Sequence, residues 1–161
     1  MARPNPIRAI MEAPLPSITY QRRLQFRPTY HDINYVYDIC NKYLFDGRLR
    51  KPVITQGSRR QTWGFCEWKN ELQDTGSYTS ISLMDKWFCP AWFVQTFAHE
   101  MVHQYQWDIT RFEEYNGRMP ESGAHGPSFF MWRDRFDHYG LRLKTAYGQK
   151  RWFKHQNWYK C

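Results

Sequence analysis

Residues 97–103 read Phe97-Ala98-His99-Glu100-Met101-Val102-His103, and they lie inside a longer run whose apolar residues, Phe93, Val94, Phe97, Ala98, Met101, Val102 and Tyr105, recur at helical spacing. Pro90 stands where a first helical turn tolerates proline, so the pattern predicts a helix over about 90–107. On such a helix residues i and i+4 are one turn apart. The imidazoles of His99 and His103 therefore leave the same face, and each can give one nitrogen to a single Zn²⁺ at ~2.0–2.1 Å. Glu100 starts from the next position round, from which a carboxylate reaches a water held in the open position of the metal.

A third ligand is found downstream. His125 follows His103 by 22 residues, in Ser122-Gly123-Ala124-His125-Gly126-Pro127-Ser128-Phe129. Gly123 and Gly126 leave the backbone free to aim the ring, and Pro127 suits the first turn of another helix, which runs through Phe129, Phe130, Trp132, Arg133 and Phe136 to a stop at Gly140. Between the two helices, Asp108 to Gly126 is rich in polar and turn residues and reads as a loop. Upstream, Thr29 and Asp32 make a helix start for Tyr30 to Phe45, closed by Gly47. Short β-prone runs around Val53-Ile54, Trp63 to Trp68 and Tyr78 to Leu83 read as three strands over about 51–84.

With 161 residues the chain has room for one domain, and 42% hydrophobic and 19% aromatic residues supply its core. No run approaches the ~20 consecutive apolar residues that cross a bilayer, and the opening residues lack a signal-peptide core, so the expectation is a cytoplasmic or nucleoid-associated protein without a membrane partner. Cys40, Cys66, Cys89 and Cys161 form no CxxC pair, which excludes a zinc ribbon; the first three read as small buried hydrophobes and Cys161 as a free terminal thiol.

The net charge of +8 is placed unevenly. Residues 1–27 hold five Arg and one Glu, and residues 141–161 hold six Lys or Arg and no acid, so 28–140 carry −2. The ends are therefore the polyanion-attracting parts. Three regions follow: a Pro- and Arg-rich arm at 1–27, expected to be extended or loosely packed; a folded domain at 28–140; and a basic, aromatic tail at 141–161. In the tail, Arg142, Lys144, Lys150, Arg151, Lys154 and Lys160 can neutralise phosphates, and Trp152, Phe153, Trp158 and Tyr159 offer stacking faces suited to single strands. Trp63, Trp68, Tyr105 and Trp107 read as packing residues, His31, His138 and His155 as surface or packing residues, and Glu113 and Glu114 as solvated.

Taken together, Ala98-His99-Glu100-Met101-Val102-His103, His125-Gly126-Pro127-Ser128-Phe129, the helix ending Leu44-Phe45-Asp46-Gly47-Arg48-Leu49, and the strands at Gly64-Phe65-Cys66 and Ile81-Ser82-Leu83 resemble the SprT-like domain of Spartan-type DNA–protein crosslink proteases and bacterial SprT. The resemblance covers about 28–140. It implies an α+β fold with three main helices, a small, mostly antiparallel three-stranded sheet and a zincin-like HExxH helix. It also implies His99, His103 and His125 as ligands of one Zn²⁺ per chain and Glu100 as the catalytic acid/base. The expected activity is a zinc-dependent endopeptidase, a monomer acting on protein substrates, with single-stranded DNA as a further partner and DNA repair as the setting. The chain departs from bacterial SprT in lacking its Cys-based ribbon, so DNA coupling rests on the basic ends. Two other readings are a nucleic-acid-binding protein with a structural or relic metal site, and a zinc amide hydrolase acting on a cell-wall or other non-protein substrate. Glu100 speaks against the first, since a structural site needs no general base; the absent export signal speaks against the second.

Overall fold

The computed structural model describes residues 5–12, 26–58, 62–70, 77–120 and 124–146. Its elements run α1 (Pro6–Met11), α2 (Tyr30–Leu44), β1 (Val53–Gly57), β2 (Gly64–Asn70), β3 (Ser77–Met84), α3 (Pro90–Tyr105), a π-helical turn (Gln106–Thr110), α4 (Arg111–Glu113), α5 (Pro127–Phe130) and α6 (Arg133–His138). The architecture is mixed α/β, as expected.

Helix α2 begins with a complete capping box. The Asp32 N–H donates to Thr29 Oγ1 at 3.2 Å, and the Thr29 N–H donates to Asp32 Oδ2 at 2.7 Å, which satisfies two of the orphan donors of the first turn. Ile33, Val36, Tyr37, Cys40 and Leu44 form its buried stripe. The chain then reverses through Asp46 and Gly47, both at positive φ, the second a conformation that glycine adopts without penalty.

The sheet has the order β1-β3-β2. Strands β2 and β3 form an antiparallel hairpin from Gly64↔Leu83 to Asn70↔Ser77, but β1 lies on the far side of β3 and runs parallel to it, Val53 opposite Ser80. The sheet is thus mixed rather than mostly antiparallel. Short β-prone runs define which residues are extended but not which neighbour each finds; here β1 joins the strand two steps along the chain.

Helix α3 crosses this sheet, touching β2 and β3, with α1 and α2 also packed against it. Every residue of α3 is buried, its polar Gln95, Thr96, His99, Glu100, His103 and Gln104 included. Aromatic rings fill the space around its start: Trp63 and Trp92 lie 4.2 Å apart between centroids, Phe88 stacks on Trp92 at 4.9 Å, and Trp87 meets Phe93 at 5.5 Å.

Further expectations are corrected. Part of the arm is helical: Asn5 caps α1, whose Ile7 and Met11 enter the core. The helical path also continues past Tyr105 to Glu113 where a loop was expected from Asp108, because Asp108 is held by the Thr79 hydroxyl and the Gln104 amide, while Arg111 stacks 4.2 Å from the Trp68 ring centroid. The last expected helix is two short ones, α5 and α6. Among the cysteines, Cys40 and Cys66 are free, but Cys89 is disulfide-bonded and so is not the free buried thiol expected; Cys161 lies outside the described residues. No described helix is long and apolar enough to cross a membrane.

Phe97 is fully buried between Phe93 and Tyr37, two residues before His99. Phe97→Ala should therefore cost about 3–5 kcal/mol, read as a lower urea midpoint with little change in slope. A loss under ~1 kcal/mol would show that this ring is not a core element.

Candidate metal centre

The final turns of α3 place His99 and His103 one above the other, and the loop leading into α5 brings His125 to them. The three Nε2 atoms form a nearly equilateral triangle: 3.2 Å between His99 and His103, 3.2 Å between His103 and His125, and 3.3 Å between His125 and His99. These residues are close enough to hold one metal ion between them. Phe129 forms a common floor, its ring centroid 4.8 Å from His99, 4.8 Å from His103 and 4.7 Å from His125. The Gly-Pro that opens α5 leads directly to this ring. Gly126 itself has an extended backbone at φ −95°, while Gly123 lies outside the described residues.

The electrostatics favour neutral imidazoles. Burial, with the neighbouring His103 and His125, pushes the His99 pKa well below its ordinary value, against a hydrogen bond from its ring to the Lys144 backbone that raises it. Burial lowers His103 to about 4, although its hydrogen bond to Gln106 works the other way, and burial lowers His125 as well. Each ring thus keeps an unprotonated nitrogen near neutral pH, which is the form that binds metals.

Glu100 is buried and lines the same cleft, a cavity of about 530 Å³ walled by Trp63, Gly64, Phe65, Cys66 and Trp107 besides the histidines. Gly64 explains how β2 comes so close. A Cβ at that position would stand 2.9 Å from Glu100 Cγ and 3.0 Å from its Oε1, so glycine leaves the space in which the carboxylate sits. Neither Gly64 nor Phe129 was singled out from the sequence as a site residue, because their roles depend on elements far apart in the chain.

The remaining expected residues divide. Arg142 and Lys144 lie on a strap that follows α6: Leu141 and Leu143 are buried, the Arg142 N–H donates to the Gln95 side chain at 2.8 Å, and Thr145 and Ala146 reach the wall of the metal cleft. Lys150, Arg151, Trp152, Lys154, Trp158, Lys160 and His155 fall outside the described residues. Trp63 packs on Trp92, Trp68 stacks with Trp107 at 5.9 Å, and Tyr105 packs on Phe45, as expected of packing residues. His31 and His138 are exposed and stand apart from the cluster. Glu113 is paired with Arg48 rather than simply solvated.

Two outcomes follow from this geometry. An unfolded histidine titrates near 6.5, well above His103 in the fold, so the unfolded chain takes up a proton first as pH falls, and the metal-free protein should lose stability from about pH 6.5 down to about 4. Thermal unfolding in EDTA at pH 7.5 and 5 checks this, and an equal or higher midpoint at pH 5 contradicts it. Separately, Gly64→Ala should destabilise by about 1–3 kcal/mol through overpacking. Added Glu100→Ala should recover most of that loss in a double-mutant cycle; strictly additive effects would mean that strand and carboxylate are not in contact.

No protein-family model matches this chain, and neither does any curated protein.

Proposed function

We propose that the chain is a zinc-dependent endopeptidase of the SprT-like type that acts on DNA-associated proteins. The observation that carries this reading is the Nε2 triangle with Glu100 in the same cleft. Tetrahedral coordination with Zn–N bonds of ~2.0–2.1 Å places ligand nitrogens about 3.3–3.4 Å apart. The separations of 3.2–3.3 Å between the three Nε2 atoms lie close to that figure. Three neutral imidazoles without a carboxylate suit zinc better than the iron of facial-triad sites. His99, His103 and His125, which would hold the ion, line the same cleft as Glu100, where a substrate would be admitted.

When bound, zinc supplies Lewis-acid chemistry, polarising a scissile carbonyl and lowering the pKa of water toward ~7. The chain supplies the rest. His99, His103 and His125 hold the ion, and Glu100 takes the proton of the attacking water and returns it to the leaving amine. Trp63, Phe65 and Trp107 give the cleft apolar walls against which a peptide can lie while bulk water is displaced.

The link to DNA draws support from the strap after α6. Arg133, Arg142 and Lys144, with Asp137, line a second cavity of about 480 Å³. Lys144 belongs to that basic cavity, while the next residues, Thr145 and Ala146, wall the metal cleft. A polyanion on the basic side would therefore lie one residue away from the peptide-binding side.

Glu100→Gln tests the reading, because it keeps size and polarity but removes the base. Zinc content should stay near one per chain while cleavage of an unfolded protein such as casein, assayed with and without single-stranded DNA, falls by at least ~10²-fold. Full activity in this variant would overturn the mechanism. Absence of cleavage by the wild type under both conditions, with tight binding of single strands, would favour a nucleic-acid-binding protein with a structural metal site.

A further inference from the structure

Gln106 is fully buried and lies three residues beyond His103, at the first position of the π-helical turn. Residues three apart share a helix face, and its amide reaches in two directions. On one side Oε1 stands 2.8 Å from His103 Nδ1. On the other, Nε2 donates to the Ala124 carbonyl at 3.1 Å and to Ser128 Oγ at 2.8 Å. Those two acceptors flank His125 in sequence.

The chemistry of these contacts leaves one consistent assignment. A backbone carbonyl only accepts, so the amide must turn its NH₂ toward Ala124. The oxygen then faces His103 and must itself accept, which requires the proton of that ring to sit on Nδ1. The lone pair of His103 is consequently left on Nε2, the atom that points at the other two histidines. Both N–H donors and one of the two oxygen lone pairs of the amide are used, and Phe129, the floor of the site, is the residue after Ser128.

We infer that Gln106 is a positioning residue that locks the metal-binding tautomer of His103 and, through the same amide, ties down the loop that carries His125. The inference rests on the metal site proposed above and adds a coupling within it: one side chain sets the orientation of two ligands that come from separate elements. Without it the His103 ring can carry its proton on either nitrogen, and the loop loses two of its anchors. Groups that orient metal-bound histidines contribute ~10–100-fold to metal affinity.

Three measurements test this. In the metal-free wild type at pH 7.5, ¹⁵N NMR of the imidazoles should show His103 protonated on Nδ1; protonation on Nε2 overturns the inference without any mutation. Gln106→Leu, which keeps the buried volume nearly constant, should weaken zinc binding by ~10–100-fold in chelator competition and reduce the intense visible bands of the four-coordinate cobalt form. Gln106→Glu keeps an acceptor for the His103 ring but offers no donor to Ala124, so it should retain the Nδ1–H tautomer and lose less affinity than the leucine variant. If Gln106→Leu fails to fold, Ser128→Ala, which removes one loop anchor, should still weaken zinc binding measurably. Wild-type zinc affinity in a folded Gln106→Leu protein with unchanged cobalt bands would overturn the inference alone, whereas failure of the wild type to bind zinc or cobalt would overturn the metal-site reading beneath it.

Discussion

The structure turns on the burial of α3. A helix surrounded on every side has no solvent in which to place polar side chains, yet this one carries Gln95, His99, Glu100, His103 and Gln104 among its buried residues. Each such group costs free energy unless it finds a partner or loses its charge. The imidazoles meet the second condition, since burial holds them neutral. Gln104 meets the first by donating to the Arg50 carbonyl at 2.6 Å and to Asp108 at 3.0 Å. What burial leaves is three Nε2 atoms 3.2–3.3 Å from one another, an arrangement stabilised when a cation is taken up between them.

Particular contacts set how the surrounding elements meet the site. Strand β2 approaches because Gly64 has no side chain in the way of Glu100. The strap after α6 is held where Gln95 accepts from the Arg142 backbone, two residues before Lys144 meets His99. The loop before α5 is drawn in at Ala124 and Ser128. Each of these contacts joins residues at least eighteen positions apart in the chain. The site is accordingly a product of tertiary packing even though half of its ligands' spacing is local.

The strap also bears on the basic ends. Its lysine and arginine were read from the sequence as a tail, but Leu141 and Leu143 anchor its beginning in the core, so the cationic groups at 142 and 144 are presented from fixed backbone. Fixed charges lose less entropy on binding an anion than charges on a free chain. At the other end Ile7 and Met11 fasten α1 against α2 and α3.

Local pattern was sufficient wherever the cause is local. The capping box of α2 follows from Thr29 and Asp32 alone, and the shared face of His99 and His103 follows from helical pitch. His125 was legible because its Gly-Pro-Ser-Phe setting opens a helix. Other features were not legible. The parallel pairing of β1, the helical continuation from Asp108 to Glu113, and the entry of α1 into the core depend on which distant surface each segment meets. So do the site roles of Gly64, Gln106 and Phe129. The donor types, and the pitch that pairs two of them, are properties of side chains and of one helix and so are readable along the chain. The arrival of the third donor within 3.3 Å, and the anchoring of its loop by Gln106, come from the folded packing, because loop closure over 22 residues is fixed by the packing at its ends rather than by the residues within it.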